Sequence, residues 1–124
     1  MHVGDVMTMG AECIRPSNSL QEAALMMKYL NVEALPVCDH DRLVGLLTDR
    51  DVVVRAVAEG YDNRANSVQD VMTPEVRCCC EDQDVQEDSQ LMSDYQVRRL
   101  VVFNRKGRLV GIVSLGDLAV ETRD

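Results

Sequence analysis

Thr48 and Asp51 stand three residues apart, and so do Ser114 and Asp117. Each pair closes one phrase, GLLTDRD over 45–51 and GIVSLGD over 111–117. A hydroxyl followed three residues later by a carboxylate has two uses. At a helix start the hydroxyl accepts a backbone N–H, and the carboxylate sits at the positive end of the helix dipole. The same helix start is an anion site, where the hydroxyl meets a phosphate. Capping and binding are compatible, so all four residues are ligand candidates as well as caps.

Cysteine and histidine supply the other reactive groups. The five cysteines are Cys13, Cys38 and the adjacent Cys78, Cys79 and Cys80. An odd number, three of them consecutive, does not suit a disulfide framework, and no Cys-x-x-Cys spacing occurs. Cys13 and Cys78 occupy equivalent strand positions and are expected to be buried, reduced packing residues. A redox or metal role would fall to Cys78, Cys80, or Cys38 with His40; the expectation is no metal. His2 is terminal and His40 falls in a turn. The chain lacks a phosphate-binding GxxxxGK[ST], a nucleophile elbow and clustered metal ligands. No catalytic residue is assigned, and the expectation is that the protein is not an enzyme.

Composition narrows the partners. Hydrophobic residues make up 46% of the 124 and aromatics 3%, so the core must be aliphatic. Stacking platforms for single-stranded nucleic acid are missing. A net charge of -8 opposes binding to a phosphate backbone, so no nucleic-acid polymer is expected. No apolar run approaches the roughly 20 residues of a membrane span, and MHVGDVMTMG lacks a signal-peptide pattern. The expected location is the cytoplasm, with no membrane partner.

The elements that position the doubled phrase are themselves doubled. Asp5-Val6-Met7-Thr8 recurs as Asp70-Val71-Met72-Thr73, and Arg42-Leu43-Val44-Gly45 as Arg108-Leu109-Val110-Gly111. Val32, Leu35 and Val37 correspond to Val97, Leu100 and Val102. The chain is therefore two copies of one unit, residues 1–65 and 66–124. In the first copy Cys13-Ile14 is a short strand, and Ser19-Leu-Gln-Glu22 is a capping box before a helix with Leu20, Ala23, Ala24 and Met27 on one face. Ala34–Val37 and Leu43–Leu47 form a hairpin across Asp39-His40-Asp41, and a second helix runs from Asp49 to Glu59, stopped by Gly60. The fold class is α+β, with β-α-β-β-α in each repeat. Asp84-Val-Gln-Glu87 should repeat the capping box. The acidic stretch 81–94 reads as a solvated helix face. Asp88 and Ser89 depart from the pattern, standing where the first copy has Ala23 and Ala24. A carboxylate there is costly unless paired or exposed, which predicts a rotated helix or a face open to a partner.

DVMT opening each repeat, Ala34-Leu35-Pro36-Val37 in the middle strand, and the glycine–apolar–Thr/Ser-x-x-Asp phrase together resemble the cystathionine β-synthase (CBS) domain in tandem. The resemblance covers nearly the whole chain. Its layout is similar to small stand-alone bacterial CBS pairs, including the hypoxic-response type. It implies two repeats packed with pseudo-twofold symmetry, and clefts between them that bind AMP, ADP, ATP or S-adenosylmethionine. It implies that the aspartate of the phrase accepts ribose hydroxyls, and that the clefts are crossed. Asp117 would then face Thr8 to Cys13 and Val32-Glu33-Ala34, and Asp51 would face Thr73 to Cys78 and Val97-Arg98-Arg99. Arg50, Arg98 and Arg99 are the phosphate candidates, since a guanidinium bonds phosphate in bidentate fashion. Glu12 and Glu33 would disfavour polyphosphate in the first cleft.

The implied role is a regulatory module without chemistry of its own, sensing an adenosyl metabolite and acting on an unidentified partner protein. A homodimer closed by helices bearing Met26, Met27, Leu91 and Met92 is also implied. Two other readings stay open: an interaction protein with decayed clefts, and a thiol-based redox sensor.

Overall fold

The protein is described from a computed structural model covering residues 1–10 and 12–121. A 3₁₀ turn, Val3–Asp5, precedes β1 (Thr8–Met9) and α1 (Leu20–Leu30). Then come β2 (Ala34–Asp39), β3 (Arg42–Thr48) and α2 (Asp49–Asp51), which runs on as a π-helix over Val52–Val57. A second 3₁₀ turn, Val68–Asp70, leads to β4 (Cys78–Cys80), α3 (Val85–Tyr95), β5 (Arg99–Phe103), β6 (Leu109–Ser114) and α4 (Leu115–Glu121). The α+β class and the internal duplication are as the sequence implies. Among the described residues no helix is long and apolar enough to cross a membrane.

The chain divides into two compact units, Glu12–Val76 and Met1–Ala11 with Arg77–Asp124. In the first, β2 and β3 pair antiparallel from Ala34↔Thr48 to Asp39↔Arg42, with a bulge between Val37 and Cys38. Ile14 bridges Val37 in parallel on one side, and Thr73 bridges Leu46 on the other. In the second unit a four-stranded sheet runs β1-β6-β5-β4. Here β4 is parallel to β5, and β1 pairs β6 through Thr8↔Ile112 and Met9↔Gly111. The two arrangements are the same, strand for strand. Each hairpin takes as its outer neighbour the DVMT segment that opens the other sequence repeat. The compact units thus exchange segments relative to a cut at residue 65.

Local chemistry explains the helices. Ser19 Oγ accepts from Glu22 N at 3.1 Å, and Glu22 Oε1 accepts from Ser19 N at 2.9 Å, a reciprocal capping box. These bonds hold the Glu22 carboxyl below its ordinary value. The box does not repeat at Asp84. Its carboxylate accepts from Gln86 N at 2.9 Å, and Glu87 does not reach back. A box there would set two carboxylates side by side, which like charge opposes. The helix expected from Asp49 starts there but widens at Val52-Val53-Val54, three β-branched residues with low α-helix propensity. Gly60, at φ 72°, ends it in the left-handed region.

Each unit has its own aliphatic core. Ile14, Leu20, Ala23, Leu35, Val37, Leu47, Val68 and Val71 fill one. Val3, Cys79, Val85, Met92, Leu100, Val102, Val113 and Leu118 fill the other. A fully buried Leu contributes about 1.5–3 kcal/mol, so these side chains fix the hairpins and with them the phrase that follows.

Three expectations change here. Asp88 is neither rotated outward nor open to a partner: it is fully buried, on the same helix face as Val85 and Met92. Cys13 and Cys78 are exposed, and Cys79 is the buried cysteine. Cys13-Ile14 contributes a single bridge rather than a strand.

Candidate functional site

In the Glu12–Val76 unit the site begins where β3 ends. Thr48 Oγ1 accepts from Asp51 N at 3.1 Å, and Thr48 N donates to Asp51 Oδ2 at 3.0 Å. The phrase is therefore a reciprocal cap, and it uses one oxygen of the aspartate. The other, Oδ1, lies 3.9 Å from Arg55 Nε, and the Asp51 side chain is 13% exposed. Arg55 Nη1 also donates to Val71 O at 3.3 Å and Met72 O at 3.4 Å. The sequence reading missed Arg55. Its spacing four residues after Asp51 was the available signal, since i,i+4 pairs share a helix face.

Thr73 reaches this site by exchanging two 2.9 Å backbone hydrogen bonds with Leu46. Gly45 is what lets it approach. A Cβ there would lie 2.7 Å from Met72 Sδ and 2.9 Å from Thr73 O. Asp49 N donates to Glu33 O at 2.9 Å, which brings the Val32-Glu33 segment to the start of α2. Val32 is half-buried against the core, and Arg50 is exposed.

The second unit repeats this construction. Ser114 Oγ accepts from Asp117 N at 3.1 Å, and Ser114 N donates to Asp117 Oδ2 at 2.9 Å. Again Oδ1 lies outside the box. Leu115 N donates to Arg98 O at 2.8 Å, and Arg99 pairs with Ser114 across the hairpin. Thr8 sits opposite Ile112, and a Cβ on Gly111 would lie 2.5 Å from Thr8 O. Val97 packs against the core; Arg98 is exposed and Arg99 half-buried.

The candidates thus gather as Val32, Thr48, Arg50, Asp51 and Thr73 in one unit, and Thr8, Val97, Arg98, Arg99, Ser114 and Asp117 in the other. Thr8 shares a unit with Asp117, and Thr73 with Asp51; Val32 falls in the unit of Asp51 and Val97, Arg98 and Arg99 in that of Asp117, whereas the resemblance implied the opposite pairing for these segments. The two sites differ in charge. Gly116 stands at the position of Arg50, 66 residues on.

The thiols differ in setting. Cys79 is pushed upward by burial and by the adjacent Asp88. Burial, together with the Cys13 thiol and the Asp41 charge, pushes Cys38 up to about 12. Partial desolvation by neighbouring atoms raises Cys78 as well, although the residue is exposed. His40, at φ 57° in the hairpin turn, pairs its Nδ1 with Asp39 Oδ1 at 2.9 Å rather than with Cys38. Among the described residues no three His, Cys, Asp or Glu side chains cluster as metal ligands.

Comparison with known proteins matches a CBS-domain model twice, at residues 3–57 and 68–122. A CBS domain-containing protein of Bacillus subtilis, YhcV, is 42% identical over 118 residues, covering 95% of this chain and 83% of that one. Hypoxic response protein 1 of Mycobacterium tuberculosis is 36% identical over 116 residues, covering 93% and 80%. A crystal structure of Hypoxic Response Protein I with two coordinated zinc ions superposes with a TM-score of 0.77 at 35% identity, covering 97% of this chain and 98% of that one. CBSX2 in complex with AMP gives a TM-score of 0.72 at 27% identity, covering 97% and 94%.

Proposed function

The chain belongs to the CBS-domain family, and on that premise we propose that it is a regulatory module that binds an adenosyl metabolite and has no chemistry of its own. The observation carrying this reading is the doubled box. Each box uses Oδ2 of its aspartate and leaves Oδ1 to accept a ribose hydroxyl, in the same place in both units. Thr48 and Ser114 then serve as cap and as phosphate neighbour together. Arg50, Arg98 and Arg99 are the cations for a phosphate, and Thr8, Thr73, Val32 and Val97 line the ligand. AMP bound to CBSX2 supports an adenosyl group; AMP, ADP, ATP and S-adenosylmethionine are the candidates. The module would work as a cytoplasmic homodimer that passes a ligand-dependent change to a regulated protein.

Thermal melting with each of the four ligands tests this. At ligand near 100 times Kd the expected stabilisation is about 2.7 kcal/mol. Losing a hydrogen bond to a charged group removes about 1.5–3 kcal/mol, so Asp117→Asn or Asp51→Asn should weaken binding about tenfold or more. Asparagine keeps the size and can still cap, so the helices survive. If wild type responds to none of the ligands, the sensing role is lost and an interaction protein takes its place. If wild type responds and both variants respond equally, the aspartates are caps only.

A further inference from the structure

The Glu12–Val76 unit holds two thiols that the ligand reading does not use. Ile14 N donates to Pro36 O, and Cys38 N donates to Ile14 O, both at 2.9 Å, so Ile14 sits opposite Val37. Side chains alternate along paired strands. Ile14 and Val37 point into the core, 3% and 0% exposed. Cys13 precedes that pair and Cys38 follows it, so both leave on the face opposite the core, diagonal to each other across the parallel bridge. Cys13 is exposed and Cys38 half-buried. The Cys13 thiol is one of the groups that, after burial, raise the Cys38 thiol.

We propose that Cys13 and Cys38 are a redox pair that closes to an intramolecular disulfide when a hydroperoxide reaches Cys13. Cys13 is the attacking thiol because it is exposed. Its thiolate takes the terminal oxygen of the hydroperoxide and becomes a sulfenic acid, and the alcohol, or water from hydrogen peroxide, leaves. The Cys38 sulfur then attacks the sulfenic sulfur, the S–S bond forms, and the hydroxyl leaves with the Cys38 proton as water. Two thiols are oxidised and one peroxide is reduced. Closure needs Cβ atoms about 3.8 Å apart. Cys13 is the side that can move, since it lies outside the strands while Cys38 is held in β2. The bond would pin the start of the Glu12–Val76 unit to β2. This inference does not depend on the nucleotide reading.

The test is to titrate the full chain with hydrogen peroxide in chelator-containing buffer, alkylate the remaining thiols, and map tryptic peptides by mass. Cys13 lies in the peptide 1–28, Cys38 in 29–42, and the three adjacent cysteines in 78–98. The expected first product joins 1–28 to 29–42, lowers the free thiols from five to three, and reverts with dithiothreitol. Cys38→Ser should abolish the cross-link and let Cys13 proceed to sulfinic acid. A first cross-link that involves 78–98 or a second chain overturns the proposal. So does over-oxidation of Cys13 in wild type without any link to Cys38.

Discussion

Asp88 is a buried carboxyl in a position built for a methyl group. Ala23 occupies the same place in α1, fully buried. Neither Asp88 oxygen has a hydrogen-bond partner among the described residues. Burial pushes its carboxyl upward, repulsion from Glu87 adds to this, and the Cys79 thiol offsets it in part. A carboxyl raised in the folded state contributes fully below the ordinary value of about 3.9, and its contribution is lost as pH rises through the folded value. Asp88→Ala should therefore stabilise the protein by about 1–3 kcal/mol near neutrality, the cost of an unsatisfied buried polar group. Asp88→Asn keeps the shape and cannot ionise. Its stability should fall less than wild type between pH 4 and 8, measured by urea melts at fixed temperature. A parallel pH dependence for the two proteins would show that Asp88 does not titrate in that range. The residue was visible in the sequence as a broken repeat, but its fate was not. The face of α3 is set by Val85 and Met92, and two buried apolar residues outweigh one misplaced carboxylate.

At the scale of elements, the repeated glycine explains the repeated phrase. Gly45 and Gly111 stand where a DVMT segment crosses the hairpin, and in each case the obstacle to a Cβ includes a backbone carbonyl. The methionine sulfur can shift; the carbonyl of Thr73 cannot without straining its hydrogen bonds to Leu46. Overpacking of this kind costs about 1–3 kcal/mol. Gly45→Ala should lower the melting temperature and release Thr73 from β3, seen as faster amide exchange at Leu46 and Thr73. Gly111→Ala should do the same to β1. Unchanged exchange at those amides would mean the segment tolerates the added methyl. The helices, hairpins and Ser19 box were legible because capping and periodicity are local. The parity of β4 was not, since Cys78-Cys79-Cys80 carries no alternation to read. It is set by pairing, with Cys79 opposite the buried Val102. The exchange of DVMT segments was not legible in the repeat itself and was implied only by the resemblance, through its crossed clefts. A repeat in sequence tells which segments are equivalent, and only the bridges at Thr8 and Thr73 tell which hairpin each one joins.

For the whole molecule, the question is which helices a second copy would cover. Met27 and Met92, two of the side chains expected at such a surface, are instead buried in their own units, and Met26 and Leu91 pack partly against those cores. The exposed apolar surface lies elsewhere. Leu25 and Tyr29 on α1 are 57% and 88% exposed, and Val53 and Val57 on the π-helix 58% and 68%. Leu25, Val57 and Tyr61 line one groove with Lys28 between these helices. Single exposed apolar side chains are ordinary, whereas a contiguous set marks an interaction surface. Among the described residues, the helices of the other unit expose Tyr95 and Leu115, at 47% and 44%. A homodimer should therefore form through the helices of the Glu12–Val76 unit. Sedimentation at micromolar protein should give about twice the chain mass, as expected for an interface near the standard size of about 800 Å² per partner. Leu25→Glu with Val57→Glu should reduce it to one chain mass, because four charges would then be buried across the symmetric contact without partners. Both sites are exposed in the single chain, so the fold should survive, with circular dichroism unchanged. A wild-type monomer would rule out the dimer, whereas a double variant that still dimerises would move the contact to the other helices.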